Sequence, residues 1–334
     1  MNIVYNCDDN YAVHTAVSIA SVFENNTDFP EIFVYILGNG ISGNSCSKLQ
    51  ELAGKFREDG KIREIRVIEL KEFEAALKLL FGDTLDAGRF TVTALARIFA
   101  PQHLPDEVDR YIYLDCDTVV RHSLKDLWEA ALKGKICGMA AEPTIYPEVR
   151  DYLEITKKDP YCNTGMMLVD RKTWEEAGVT GDCVDYYRSK KGRLPFSDQD
   201  IINYVLKGHI RTLWQGWDFF ANYYYRSYKS LVAQAPWFSD AQSEEEYNKA
   251  KTDPAVVHFS GDERPWFHGN FNPYEADYEK YLAMTPWAGT PKIRGLEGKL
   301  FLYHMMNLMT AVCPAFRVWL SGRYYKNYRK KLGY

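Results

Sequence analysis

Apolar residues in this chain fall into two kinds of stretch. Some form short, almost unbroken runs, and others recur at every third or fourth position. Residues 2–6, 31–37 and 65–70 are runs of the first kind, and a run with apolar side chains on both faces predicts a buried strand. Between them, Val17, Ala20 and Val22 mark a helix over about 13–23, and a second helix is predicted over 46–56. Strand and helix alternate, which predicts an α/β fold with a mainly parallel sheet flanked by helices. A helix over 93–99 is expected to stop before Pro101, because proline lacks the N–H that a continuing helix needs. Further strands are expected at 136–141, 166–169 and 256–259, with short helices near Trp174, Val184 and Ile201. There is no internal repeat and no low-complexity linker. The composition changes near Pro291, beyond which the chain is basic and aromatic.

The stretch Arg110-Tyr-Ile-Tyr-Leu-Asp115-Cys116-Asp117-Thr-Val-Val120 begins as a buried strand and ends in two carboxylates one residue apart. On an extended backbone residues i and i+2 point the same way, so Asp115 and Asp117 could face one point. Carboxylates held together repel unless a cation offsets them. A divalent ion would do so, and oxygen ligands suit Mn²⁺ or Mg²⁺, with phosphate oxygens of a substrate completing the shell. Two solvated turn acids would carry the same spacing.

Composition narrows the options. At 334 residues, 46% hydrophobic and 26% charged, the chain has room for a large core, or one domain with an appendage. A net charge of −4 argues against a nucleic-acid partner. The 24 Tyr and 8 Trp allow stacking on sugars or bases. Seven cysteines without a C-x-x-C pair do not suggest a disulfide framework or a zinc site, and they fit a reducing cytoplasm. Met1 leads straight into the first strand without a basic and apolar leader. No apolar run is long enough to span a bilayer.

Four further segments carry candidate chemistry. Asp8-Asp9-Asn10-Tyr11 follows the first strand, where ligands of open α/β sheets sit. Its acids and amide could bond a nucleoside and Tyr11 could stack on a base, or the turn could simply cap the next helix. Gly38-Asn-Gly40-Ile-Ser42-Gly43 fits the dinucleotide pattern G-x-G-x-x-G but follows the second strand, not the first. A turn and a helix cap explain it better. His258-Phe-Ser-Gly261-Asp-Glu-Arg264-Pro-Trp266 ends a strand. It offers an imidazole for a metal, a glycine that lets backbone N–H groups approach a phosphate, and a guanidinium to neutralise it. Asp198-Gln199-Asp200, with Asn163-Thr164-Gly165 earlier, could bond sugar hydroxyls and stabilise positive charge at an anomeric carbon. Asp198 could equally be a helix N-cap.

The order Asp8-Asp-Asn-Tyr11, Ala96-Arg97, Leu114-Asp-Cys-Asp117, Asn163-Thr-Gly165, Asp198-Gln-Asp200 and His258-x-x-Gly261-x-x-Arg264-Pro-Trp266 resembles the retaining sugar-nucleotide glycosyltransferases of family 8. The likeness is strongest to the bacterial lipooligosaccharide and lipopolysaccharide α-galactosyltransferases and their glucosyltransferase relatives, and it runs from Met1 to about Trp266. It implies a GT-A domain over 1–275 that binds a nucleotide sugar and Mn²⁺, or Mg²⁺, and a helical segment over 276–334. Asp115, Asp117 and His258 would ligate the metal. Asp8, Asp9, Asn10 and Tyr11 would hold uridine, Arg97 would reach the donor from its helix, and Cys116 would lie beside it. Gly261 and Arg264 would bind the diphosphate. Asn163, Thr164, Asp198 and Gln199 would line the donor sugar, with Glu142 also on the donor side, near the junction of sugar and acceptor. Arg264 stands where relatives often carry Lys, and Glu142 where the galactosyltransferases carry Asp, so the identity of the sugar is not fixed.

The resemblance implies transfer of galactose or glucose from UDP-galactose or UDP-glucose to a glycan or lipid-linked acceptor, in cell-surface polysaccharide or lipopolysaccharide synthesis. Asp198, Gln199 and Asp200 are the catalytic candidates. Whether Gln199 or Asp200 attacks covalently, or the acceptor enters on the leaving-group face, stays open. The rivals are a UDP-sugar hydrolase or nucleotidyltransferase on the same sheet, and a non-catalytic nucleotide-sugar binder. Loops 144–160 and 222–242 are expected to build the acceptor side. Residues 315–334 contain Arg317, Arg323, Lys326, Arg329, Lys330 and Lys331 and no acid, interleaved with Phe316, Trp319, Leu320, Tyr324, Tyr325 and Tyr328. Interfacial aromatics and basic residues favour an anionic membrane surface, so peripheral attachment to the cytoplasmic face is expected. A helix packed on the domain with a frayed basic end would explain the same residues.

Overall fold

Strands β1 (Asn2–Asp8), β2 (Glu31–Asn39), β3 (Ile62–Glu69), β4 (Arg110–Leu114), β6 (Cys137–Ala141), β7 (Cys162–Asp170) and β8 (Ile210–Leu213) form one sheet in the order β3-β2-β1-β4-β7-β6-β8. The computed structural model describes residues 1–82, 92–156, 159–320 and 322–323. Only β7 runs against its two neighbours, so the sheet is mostly parallel. Its strands are sandwiched. Ile3 and Tyr5 of β1 point into one core with the helix Ala12–Asn25, and Val4 points into the other with the helix Ala96–His103. Burial on both faces is why these strands read as unbroken apolar runs. The helix Ala12–Asn25 is buried along most of its length, and its buried polar residues His14, Thr15, Ser18 and Ser21 each have a hydrogen-bond partner.

A second sheet of β5 (Thr118–Val120), β10 (Val256–His258) and β9 (Phe219–Phe220) lies beside that helix. It corrects the geometry expected for Asp115 and Asp117. Strand β4 ends at Leu114, and Cys116 and Asp117 turn the chain into β5, so 110–120 is not one extended strand. The turn is anchored at both ends. The Asp115 N–H donates to Gly165 O at 2.7 Å, and Asp117 O accepts from the Phe259 N–H at 2.8 Å.

Strand β1 pairs in parallel with β2 on one side and β4 on the other. The chain therefore leaves β1 in opposite directions across the sheet, and such a switch point opens a crevice beyond the carboxyl ends of the two strands. Asp8 ends β1 and Asp115 follows β4. Two of the segments singled out in the sequence thus form the two lips of one crevice.

Other elements differ from expectation in instructive ways. The helix over 93–99 is a 3₁₀ turn, Val92–Leu95, followed by the helix Ala96–His103, which runs through Pro101. Pro101 sits in the last turn, where its missing N–H removes one hydrogen bond and little follows it to be disrupted. Strand β7 starts at Cys162 rather than 166, because Cys162 pairs with Ala141 of β6 beyond an irregularity that leaves the polar Asn163 and Thr164 out of the β6 register. The helix Glu275–Leu282 buries Tyr278, Tyr281 and Leu282 in the main core against Ala12–Asn25. After it comes the helix Glu297–Val312, and residues 314–320 are helical. Tyr324, Tyr325, Lys326, Tyr328, Arg329, Lys330 and Lys331 lie outside the described residues. Among the described residues no helix is long and apolar enough to cross a membrane.

Candidate active site

The crevice is a cleft of about 530 Å³. Of the residues singled out in the sequence, all but Asp9, Asn10 and Asp200 line it. Asp8 does so while its side chain also accepts from the Tyr11 N–H at 3.1 Å, so the turn is capped and open to the cleft together. Asp9 is exposed and accepts from the Ser42 N–H at 2.9 Å, away from the cleft, and Asn10 is exposed. The glycine motif proves to be a turn and a cap. The Gly40 N–H donates to Glu69 Oε1, and Ser42 caps the helix Gly43–Lys55 through the Ser45 N–H.

The Asp115, Asp117 and His258 ligand atoms lie within 4.8 Å of one another. His258 Nε2 is 3.2 Å from Asp117 Oδ1 and 3.8 Å from Asp115 Oδ2, while Nδ1 is 2.9 Å from Asp218 Oδ1. A carboxylate behind the ring is what orients a metal-binding histidine. It leaves Nε2 to face the two acids, and two carboxylates with one imidazole fit a divalent cation such as Mn²⁺. The ring comes so near β7 that a Cβ on Gly165 would meet His258 Cε1 at 2.4 Å, so residue 165 must be glycine. Burial opposes a charged His258, but Asp117 and Asp218 outweigh it and hold its pKa well above the usual imidazole range. Burial likewise opposes ionisation of Asp117, yet His258 and Arg264 hold its pKa below the ordinary carboxylate value. Cys116, between the two acids, is buried and turns its thiol to Asn6 O at 3.1 Å.

Two arginines neutralise the acids. Arg97, 6% exposed, bridges Asp115 Oδ1 at 2.8 Å and Asp198 Oδ2 at 3.0 Å, and donates to Thr164 O at 2.7 Å. Its place is thus fixed by protein partners as well as by the cleft that it lines. Arg264 donates to the Tyr11 hydroxyl at 2.5 Å and to Gly261 O at 3.0 Å, and its Nη2 is 3.5 Å from Asp117 Oδ2.

The far wall is an amide and carboxylate network. Gln199 Nε2 donates to Glu142 Oε2 at 2.9 Å and to the Tyr161 hydroxyl at 3.0 Å, while its Oε1 accepts from Asn163 Nδ2 at 2.6 Å. An ionised Glu142 can only accept, so the Gln199 amide has one orientation and its Oε1 keeps a second lone pair. Burial pushes the Glu142 carboxyl up, and Asp198 is pushed up to about 6 by burial, opposed by Arg97.

Asp198 is not a helix N-cap, the alternative that its position allowed. Ser197 holds that place, without a side-chain cap bond, at φ 47°. That left-handed value is rare for a residue with a side chain and costs about 1–3 kcal/mol. Asp200 offsets the strain from below, accepting from the Phe196 N–H at 2.7 Å and the Tyr161 hydroxyl at 2.7 Å. It is 0% exposed and does not line the cleft. Sequence reasoning missed Asp218, Tyr113 and Tyr161. Tyr113 donates to Asp115 at 2.9 Å and also meets Asn6. The available signal for Asp218 was a lone acid inside Trp214-Gln-Gly-Trp217-Asp218-Phe219-Phe220, because an acid buried among aromatics must have a partner.

Residues 2–269 match the profile described as glycosyl transferase family 8. The chain is 26% identical over 298 residues to general stress protein A of Bacillus subtilis, covering 88% of this chain and 97% of that protein. It is 26% identical over 294 residues to the lipopolysaccharide 1,2-glucosyltransferase of Escherichia coli K12, covering 86% and 79%. Among solved structures it is similar to the galactosyltransferase LgtC in complex with donor and acceptor sugar analogues, with a TM-score of 0.69 and 23% identity over 90% of this chain and 100% of that one.

Asp218→Asn keeps the shape of the site and removes the charge that fixes the His258 ring. It is expected to weaken Mn²⁺ binding by roughly 10- to 100-fold with the fold intact. Electron paramagnetic resonance titration of free Mn²⁺ measures this, and an unchanged affinity would remove Asp218 from the site.

Proposed function

The chain belongs to glycosyltransferase family 8 and has the GT-A fold, and we propose that it transfers galactose or glucose from a UDP-sugar to a glycan or lipid-linked acceptor with retention of the α configuration. The observation that carries this reading is that two groups line one cleft: the Asp115–Asp117–His258 triad with Arg264, and the Gln199–Glu142–Asn163 network. The first suits a diphosphate, and the second suits a hexose at its anomeric end.

Asp8 and Tyr11 are placed to hold the nucleoside at the end of β1. Asp115, Asp117 and His258 would hold Mn²⁺ or Mg²⁺, which supplies Lewis-acid stabilisation of the diphosphate as it leaves. Arg264 offers a planar guanidinium to the same phosphates, and Gly261 lets backbone approach them. Breaking the anomeric C–O bond develops positive charge on the sugar ring. Gln199 Oε1, fixed by its donor bonds to Glu142 and Tyr161, is the oxygen to stabilise that charge, with Asp198 beside it. Asp200, buried behind Tyr161 and the Phe196 N–H, would support the turn that carries Gln199. The acceptor is taken from cell-surface polysaccharide or lipopolysaccharide synthesis. Release of UDP only when an acceptor sugar is added, with an α-linked product by NMR, tests the reading. A β-linked product, or UDP release indifferent to acceptor, counts against it.

A cytoplasmic location on an anionic membrane completes the proposal. Phe301, Leu302, Met305, Leu308 and Met309 are exposed along one stripe of the helix Glu297–Val312, and Phe316 and Trp319 continue it towards the basic end of the chain. Such a stripe beside basic residues suits an interfacial helix.

Three outcomes are expected. Asp115→Asn or Asp117→Asn should lower Mn²⁺-dependent turnover by roughly 100-fold or more while far-UV circular dichroism stays unchanged, and near-normal turnover in the double variant would sink the metal assignment. Second, a metal must displace the proton that His258 holds. Its affinity should rise with pH until the raised pKa is passed, with about one proton released per ion at neutral pH. Metal-free stability has the opposite sign: the contribution of a raised pKa is full below the unfolded value, near 6.5, and fades as pH rises through the folded one. Metal titration in weakly buffered solution reads the proton, and none released at pH 7 would refute a charged His258. Third, removal of residues 315–334 should abolish the salt-sensitive part of binding to anionic vesicles, at about 1 kcal/mol per basic residue near the surface, and leave UDP-sugar hydrolysis largely intact. Equal cosedimentation of both forms at low salt would rule out the anchor.

A further inference from the structure

Within Gly261-Asp262-Glu263-Arg264, three residues line the cleft and one does not. Glu263 turns the other way and is buried. Its carboxylate accepts from Asn307 Nδ2 at 2.8 Å and from the Phe271 N–H at 3.0 Å, and lies 3.1 Å from His304 Nδ1. Its own carbonyl accepts from Asn272 Nδ2 at 2.7 Å. The helix Glu297–Val312 reaches the same loop again at Lys299, whose Nζ is 3.3 Å from Asp262 Oδ1. It reaches it a third time at Tyr303, whose hydroxyl lies where a Cβ on Gly261 would meet it at 2.8 Å. Residues 299, 303 and 307 are four apart and share one helix face.

Gly261 has φ +101°, and a glycine in that region supplies no restraint of its own. The height of the loop above the cleft is therefore set from outside, by the helix that grips it. We infer that Tyr303, His304 and Asn307 are positioning residues for the donor diphosphate: through Glu263 and Gly261 they hold the 261–264 backbone where Gly261 and Arg264 meet the phosphates. This rests on the UDP-sugar reading above. None of the three touches the nucleoside side of the cleft, which is built by Asp8 and Tyr11 from β1 and the turn after it. Loosening the helix contact should then cost far more affinity for phosphate than for nucleoside, which the loop meets only through the Arg264–Tyr11 bond.

The test compares UDP with uridine, each titrated calorimetrically into the full-length protein in Mn²⁺. Asn307→Ala leaves the buried Glu263 carboxylate short of a donor. It should raise the UDP dissociation constant about tenfold or more, since small misplacements of a binding group act on that scale, and leave uridine within about twofold. Tyr303→Phe, at a half-buried position, is the second variant should Asn307→Ala melt early, with the same split expected. UDP and uridine weakened in parallel would make the helix merely structural and overturn the inference, as would no weakening of either. A wild-type protein that binds UDP no better than uridine would instead overturn the UDP-sugar reading, and this inference with it.

Discussion

Negative charge is concentrated at one end of the sheet, and the site exists because that charge is shared out among few cations. Asp115, Asp117, Asp198 and Asp218 stand close together with little water. Arg97 serves Asp115 and Asp198, His258 serves Asp117 and Asp218, and Arg264 adds a second partner for Asp117. Each cation comes from a different part of the chain, so the cluster can form only when the sheet switch point, the small sheet and the 261–264 loop are all in place. Carboxylates with less compensation respond by drifting towards the neutral form. Asp200, which has hydrogen bonds but no cation beside it, is pushed up to about 7 by burial. Acids suited to a metal line the cleft, and an acid suited to shaping a turn lies behind its wall.

The legible part of the fold was the part in which burial is two-sided. Strands β1 and β2 have side chains packed on both faces, so their sequences are apolar without interruption and their positions follow from composition alone. Boundaries were harder where partners lie far away in sequence. Strand β7 extends back past Asn163 and Thr164 because Cys162 pairs with Ala141 of β6 beyond an irregularity, a long-range fact with no local signal. Pro101 misled for the opposite reason: a local rule about helix termination was overridden at a position where breaking it costs one bond.

The same division runs through the site. Asp115 and Asp117 were recognisable as a pair, but the spacing argument gave the wrong geometry, because a turn and not an extended strand brings them together. Asp9, Asn10 and Asp200 carry the right chemical groups in the right segments. Which side of a turn such a group faces depends on partners such as Ser42, Phe196 and Tyr161. Asp218 was invisible as a functional residue because its role is defined by His258, 40 residues away.

Cys116 has a consequence for which ions the cleft can choose. It sits between two metal-facing acids, where a thiolate would be a soft ligand and would favour zinc or copper over harder ions. The chain removes that option by direction. The thiol is turned to Asn6 O, away from the ions' place, and in the metal-free protein contact with Cys7 together with burial raises its pKa. The face offered to a cation is therefore two oxygens and one nitrogen, and the sulfur beside them stays within the core.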